Sequence, residues 1–600
     1  MRRMLKLLPL PLIALLATHA PGGTKDLINN SIRATRALQN EDGSYGPAGD
    51  QPLATARFLQ ALGDAPDHYT SQDGPFVRDA VDFLLAQRQP DGAFAPAESP
   101  ERLALTAEAL LALERTALST EYDEAREQAR AFLLSDAEGR ELDPDTEALV
   151  QRALTGASGS QSELPHVSGV LKPGEALDAG GAWLETTGRR LAKAQEAALA
   201  DLDRESLPEL VDRLLALIEI HGVEQSRTAP EPEELAPMPR RTPPETKAEA
   251  LDRIRAAITF LETQQTDGKF GMGDHADPGI TGLVLSALIR ICDETDLPRP
   301  DYVSSGLDWL ASLQKEDGGI YQTGLKNYVT SVSVEALAAS GEARFEPVIQ
   351  KAVGFLTETQ LDEGEGYSSE EDPYYGGFGY GSSEKPDLSN TQMALQALHE
   401  AGLPADHEAY QKAVQFLNRC QNRAESGVSS ITRQDGTIVT AGTDGGGVYR
   451  PGNSKAGDVK IEDGQVHARS YGSMTYALLK SYLFAGLDPS EPRVQDAVRW
   501  IEQNFTLEVN PGFKDKPESA AYQGLYYYYV TLARALSAVG SDQITDQTGR
   551  QRDWRKELRD MLFSLQSEEG SWTNQRSSRW MEGSPVLTTA YALLALAETS

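Results

Sequence analysis

The stretch Ala256-Ala-Ile-Thr-Phe-Leu-Glu-Thr-Gln-Gln-Thr-Asp-Gly-Lys-Phe-Gly271, followed by Ile280-Thr-Gly-Leu-Val-Leu-Ser-Ala-Leu288, decides the fold. Its apolar residues recur at helical spacing up to a Gln, an Asp-Gly pair supplies turn chemistry, and an aromatic residue precedes a second, Ala/Leu-rich helical pattern. The same order of residue types recurs along the chain. Copies open at Leu307 (Trp309, Gln314, Asp317, Gly318, Tyr321), Ala352 (Phe355, Gln360, Gly364, Tyr367), Ala413 (Phe416, Gln421, Gly427) and Leu558 (Gln566, Gly570, Trp572). A degraded copy at Ala497 keeps Trp500 and Ile501 but has Phe505 where Gln is expected. Two more lie at Ile32 to Tyr45 with Leu53 to Leu62, and at Ala80 to Phe94 with Leu105 to Leu113. Each copy reads as a helical hairpin that cannot bury its apolar faces alone, so the copies must stack.

Outside the repeats, the chain divides by composition. Residues 115 to 222 are rich in Ala, Glu, Leu and Arg, with a helical stretch at Leu207 to Ile220 and a Ser/Gly loop from Gly156 to Gly181. Residues 223 to 249 read as a linker, with Pro230, Pro232, Pro237, Pro239, Pro243 and Pro244 between Thr228 and Lys247. The expected organisation is therefore residues 1–20 as a signal peptide, 24–113 as two repeats, 115–222 as an acidic helical region, the linker, and 250–600 as the main repeat domain.

The signal peptide is read from Arg2, Arg3 and Lys6 before the apolar run Leu7 to Ala17, with small Thr18 and Ala20 beyond it. Export to the periplasm or the exterior is the expectation, with no stable membrane span after cleavage, since the run is shorter than a bilayer requires. The formal net charge of -34 repels phosphate backbones and argues against nucleic acid as a partner. Only two cysteines are present, Cys292 and Cys420, so stability must come from packing, and a buried role is expected for both. No Cys/His cluster has metal-ligand spacing, so neither metal nor cofactor is expected.

A helix ending in Gln and followed by Gly and an aromatic residue resembles the QW motif of the terpenoid cyclase and protein prenyltransferase superfamily. Six copies lie between about Ala250 and Ser600. The resemblance implies an all-α fold: an (α/α) toroid of about six hairpins around a central cavity, plus an N-terminal helical region with two further repeats. It also implies where chemistry would lie. Class II cyclases carry a DxDDTA-like motif whose central Asp protonates an alkene or epoxide, a task that needs a buried carboxyl held protonated by its neighbours. Asp387-Leu-Ser-Asn-Thr391 matches that frame with Ser389 at the donor position, and Asp277-Pro-Gly-Ile-Thr281 departs from it in the same way. Both aspartates read as helix caps. The Asp-x-Cys zinc pair of the prenyltransferases has no counterpart near His467-Ala-Arg-Ser-Tyr471, and the Gly-Cys-Gly-Glu-Gln of thioester domains does not occur.

The remaining candidates cluster in loops between helices. Tyr374, Tyr375, Phe378, Tyr380, Tyr449, Arg450, Tyr471 and Tyr526 are the candidate ligand-binding residues, because aromatic walls stack on sugars, cations or peptides and equally well pack. In the run Tyr526 to Tyr529 only one or two side chains can face the same side of a helix. Asp387, Asp277, His467, Asp274 and His275 are the candidates for acid-base work, with Lys326 near the same rim. These residues lead to a toroid that binds an apolar, glycan or protein ligand at an aromatic rim without intact cyclase or prenyltransferase motifs. The competing readings are a diverged enzyme, either cyclase-like or a polysaccharide lyase or hydrolase using paired cavity carboxylates, and a scaffold with a plugged cavity.

Overall fold

The computed structural model describes residues 23–599 except 138–139, 141, 156–194, 196–205, 228–237, 273–274, 323, 371, 382–384, 426–429, 434–435 and 462–463. The signal segment, the Ser/Gly loop, most of the Pro-rich linker, Asp274 and Gly427 therefore lie outside the described residues. The chain forms two compact units, residues 1–230 with 432–436, and 231–431 with 437–600.

In the second unit six helices form an inner ring: Pro278–Thr295, Lys326–Ser340, Leu388–Glu400, Gly472–Phe484, Leu525–Val539 and Pro585–Ala597. Each packs on the next, and the first packs on the last, so the ring is closed. Outer helices Lys247–Thr263, Tyr302–Ser312, Glu346–Glu358, Glu408–Arg419, Pro492–Asn504 and Trp554–Leu565 alternate with them. The burial patterns follow from this arrangement. An outer helix buries one stripe, as with Ile254, Ala257 and Leu261, whereas an inner helix is enclosed on all sides, as with every residue from Val586 to Ala597. No described helix is long and apolar enough to cross a membrane. Both cysteines are free and buried.

Three residue types carry the repeat. The Gln side chain donates to the Gly carbonyl of its own turn and to the backbone of the following outer helix: Gln314 to Gly318 and Val348, Gln360 to Gly376 and Ala409, Gln421 to Gly445 and Arg493, all at 2.8 to 3.0 Å. Gln566 makes the same pair of bonds to Gly570 and, at 2.9 Å, to Arg253 of the first outer helix, which joins the ring's end to its beginning. Glycine is required in the turn because φ is positive and the next outer helix passes against it. A Cβ on Gly376 would stand 1.9 Å from the Lys412 carbonyl oxygen. The third element is a threonine on the inner helix that accepts the N–H of the residue after the turn: Thr281 from Phe270, Thr330 from Ile320, Thr391 from Phe378 and Thr589 from Trp572, at 2.9 to 3.1 Å.

These bonds correct the sequence reading of three copies. In the Leu307 copy the position after the turn is Ile320, not Tyr321. In the Ala352 copy the turn glycine is Gly376, not Gly364, and the aromatic position is Phe378, not Tyr367. In the Ala413 copy Gly445 fills the glycine position, with Gly447 donating to Thr475 at 3.0 Å. Long insertions after the Gln displaced the turn along the sequence without displacing it in space.

The first unit repeats the same device. Tyr45 donates to Thr55 and Phe94 to Thr106, at 2.8 and 3.0 Å, and Gln39 reaches Gly43 and Phe76. The hairpins Gly23–Arg36 with Gln51–Asp64 and Pro75–Ala86 with Arg102–Thr116 are followed by a third, Asp123–Ala137 with Pro144–Thr155, which the composition of residues 115–222 conceals. Helix Leu207–Arg227 packs on Gln51–Asp64.

Candidate functional site

The inner helices all follow the same kind of connection, so they run in one direction and share a mouth at their N-terminal end. Backbone bonds between neighbouring mouth loops, Leu388 to Tyr449 at 2.8 Å and Asn327 to Tyr380 at 3.3 Å, hold that end together. Below it the lumen is crossed by side chains at three levels.

At the upper level Asp387 caps its helix: Oδ1 accepts the Asn390 N–H at 2.8 Å, and Oδ2 accepts the Asn390 side-chain amide at 2.8 Å and the Tyr449 hydroxyl at 3.0 Å. Asp387 has no exposed surface, and burial pushes its carboxyl above the usual range against the pull of Arg450. Tyr380 completes this group, with its hydroxyl in reach of Asn390 and Tyr449, and the Arg450 guanidinium lies 5.1 Å from the Tyr449 ring centre. Ser389 Oγ lies 3.0 Å from the Tyr527 hydroxyl, which also accepts from Gln392 at 3.1 Å. Tyr328 and Tyr591 pair through their hydroxyls. Glu582 accepts the Tyr527 N–H and the Asn574 amide, and burial raises its carboxyl to about 7.

At the middle level Glu335 and Arg534 form a buried ion pair, to which Ser286 adds a bond at 3.3 Å. Lys480 donates to Gln392 and, at 2.8 Å, to Gln396. Burial, reinforced by Arg534, lowers the Lys480 amine to about 7. At the lower level Arg290 and Glu400 pair at 2.7 Å, and the His399 ring stacks on Phe484 with centres 4.1 Å apart.

The structure thus brings Asp387, Tyr380, Tyr449 and Arg450 into one cluster. The other candidates have separate partners. Asp277 is an exposed cap that accepts from Ile280 at 2.8 Å, and His275 lies exposed in a two-residue strand paired with Gly271–Met272. His467 lies half-buried in strand Val466–Ala468, between Asp458–Lys460 and Ile438–Thr440. Lys326 covers the Tyr321 ring, with Nζ 4.8 Å from its centre. Tyr374 is buried beside Lys385, Tyr375 donates to Glu363 at 2.7 Å, and Phe378 is enclosed. Tyr471 packs edge-on against Phe513 and Tyr526 against Tyr529. Among the four consecutive tyrosines Tyr527 reaches Ser389 and Gln392, while Tyr528 and Tyr529 bond the Thr506 and Leu507 carbonyls at 2.7 Å.

Sequence reasoning passed over Lys455, Trp580 and Glu582. Lys455 Nζ lies 4.2 Å from the Tyr449 ring centre and 5.7 Å from that of Trp580. Trp580 is 48% exposed, and both it and Met581 have positive φ, a strain that favours glycine. Leu325, Ile438, Ile461 and Trp580 are the exposed large apolar residues of the second unit among the described residues, and all four lie in segments leading from an outer to an inner helix. Among the described residues no group of three His, Cys, Asp or Glu side chains could hold a metal ion.

Residues 271–435 match the family model of the squalene-hopene cyclase C-terminal domain. The matched segment lies within the second unit, whose closed ring of six inner and six outer helices is an α/α toroid. Similar solved structures include ent-copalyl diphosphate synthase from Streptomyces platensis, 16% identical over 97% of this chain and 100% of that one, with a TM-score of 0.32. The type II terpene cyclase MstE from Scytonema, in its apo form, is 13% identical over 67% of this chain and 81% of its own, with a TM-score of 0.18. A variant of the same cyclase in complex with geranylgeranyl dihydroxybenzoate is 15% identical over the same shares, also at 0.18. No curated protein matches. The matched segment includes Asp387 to Thr391.

Proposed function

We propose that this chain is an exported binding toroid that holds a protein or glycan partner at its mouth and does not cyclise isoprenoids. The observation that carries this reading is the one-sided distribution of Leu325, Ile438, Ile461 and Trp580, exposed apolar side chains confined to the segments that feed the inner helices. Exposed apolar groups gathered on one face mark interaction surfaces. Trp580 supplies an exposed ring beside the Lys455 ammonium, which lies 5.7 Å from the ring centre. Against cyclisation stand Ser389 in the donor position and Asp387, whose two oxygens already serve a helix cap and a tyrosine. The Lys480, Gln392 and Gln396 contacts and the Glu335–Arg534 pair also cross the lumen below the mouth.

The test is a melting-temperature screen against peptides, glycans and isoprenoids, because a ligand bound by the native state alone raises the transition. A shift with peptides or glycans that Trp580→Ala removes is the expected result. Conversion of an isoprenoid into a cyclic product would end the proposal. Export is supported by the Arg2, Arg3 and Lys6 charges before Leu7 to Ala17, and the mass of the protein recovered from outside the cytoplasm would reveal whether that segment has been removed.

The diverged enzyme is the second reading. It is favoured by the buried Asp387 carboxyl, which burial holds above the usual carboxylate range. It requires a turnover that Asp387→Asn abolishes while the melting temperature of the variant stays close to that of the parent.

A further inference from the structure

At the fifth outer helix the repeat loses its fastening, and a cleft opens there. In four copies the Gln at the end of an outer helix binds the backbone of the next one, but Phe505 holds that place after Pro492–Asn504, and the Arg552 guanidinium lies 5.3 Å from its ring centre. Between the inner helix Leu525–Val539 and the outer helix Trp554–Leu565 the chain inserts a hairpin, Gln543–Thr545 paired with Gln551–Asp553. The cleft between this hairpin and its neighbours has a volume of about 630 Å³, within the range of small-molecule sites. Its floor is apolar, made by Leu479, Val498, Ile501, Leu536 and Ile544.

Its edge is acidic. Glu502 and Asp542 line it. Asp542 is engaged by Arg555 at 2.9 Å, whereas Glu502 has neither an ion pair nor a hydrogen bond among the described residues. The nearby Arg552 is already committed to Glu557 and Asp546. The cleft therefore offers an apolar trough with one uncommitted carboxylate at its edge, on a chain whose net charge of -34 concentrates cations around it.

We propose that this cleft is a binding site for a small amphiphilic cation, an aliphatic chain ending in an ammonium group. The chain lies along Val498 and Val539, the half-buried apolar side chains of the trough, and the ammonium pairs with Glu502. The site is separate from the mouth and depends on no reading of it. A neutral or anionic amphiphile gains the apolar contact but lacks the pairing, and an anion meets two carboxylates.

Isothermal titration of the full chain with n-octylamine at neutral pH, and with octanoate as the charge-reversed control, tests it. One octylamine is expected to bind per chain, with octanoate weaker by at least about tenfold. Glu502→Gln is expected to weaken octylamine by about fivefold, the scale of a partly exposed ion pair, and to leave octanoate no weaker. Val539→Trp fills the cleft and is expected to abolish binding, with an unchanged melting temperature as the check that the variant folds. Absence of octylamine binding to the parent protein, equal affinity for octylamine and octanoate, or an octylamine affinity unaffected by Glu502→Gln overturns the proposal.

Discussion

At the upper level of the lumen the buried ionisable groups are carboxyls, Asp387 and Glu582, and about two helical turns deeper the isolated buried group is an amine, Lys480. Burial raises the carboxyls and lowers the amine, so it favours the neutral form of each. Between these groups Glu335 behaves differently. Burial alone would raise its carboxyl, yet Arg534 and Arg290 hold it below the usual range. The contrast teaches that the lumen tolerates charge where a direct ion pair forms and suppresses charge where the hydrogen-bond partners are amides, hydroxyls or backbone N–H groups. An inner ring packed in this way is a core in its own right.

The largest effect is expected from breaking the more deeply buried of the two lumen ion pairs. Glu335→Ala leaves Arg534 buried without its partner and should cost about 4 kcal/mol in urea unfolding, whereas replacing both residues by Leu and Met should cost far less. Next comes the upper level. Because the folded Glu582 carboxyl titrates near 7, above its unfolded value, the native state binds the extra proton. Its contribution of about 3 kcal/mol is complete below pH 4.5 and disappears as pH rises through 7. Glu582→Gln should remove that slope from a series of unfolding curves between pH 4.5 and 7.5.

The middle level should respond in the opposite direction. Lys480 titrates near 7 when folded and near 10.5 when unfolded, so stability should climb by about 2 kcal/mol between pH 7 and 9, and Lys480→Met should flatten that climb. If both variants keep the parent slopes, burial does not set these protonation states and the comparison fails. The smallest change belongs to Trp580→Ala, which should alter unfolding by less than about 1 kcal/mol because nearly half of the side chain already faces water, while removing the partner-induced melting shift.

Much of the fold was legible because the Gln, Gly and aromatic positions encode a backbone geometry that local sequence can carry. Gln566 and Gly570 stand four residues apart and meet as expected. Gly376 and Gly445 escaped because their turns lie beyond insertions, and nothing local distinguishes them from Gly364 or Gly427. The threonine of each inner helix is equally local, and its recurrence at Thr281, Thr330, Thr391 and Thr589 was available to sequence reasoning. The lumen was legible only as an anomaly: Glu335, Gln392, Lys480 and Arg534 interrupt Ala/Leu-rich helices, but which of them meet depends on packing between helices 88 to 199 residues apart. Tyr526 was preferred over Tyr527 because helical periodicity limits how many tyrosines share a face without specifying which of them point inward.

The insertion that hid Gly445 also bears on how such a ring can change over generations. The segments entering the inner helices can be as long as residues 420–471, whereas a return segment can be as short as residues 341–345. Closure depends on bonds made at the ends of helices, so length added on the entering side leaves the circumference untouched. One side of the ring is thus free to acquire new sequence, and the opposite side pays for any lengthening with gaps such as the one beside residues 540–553. A lineage built on this architecture can diversify what it recognises by rewriting a single face.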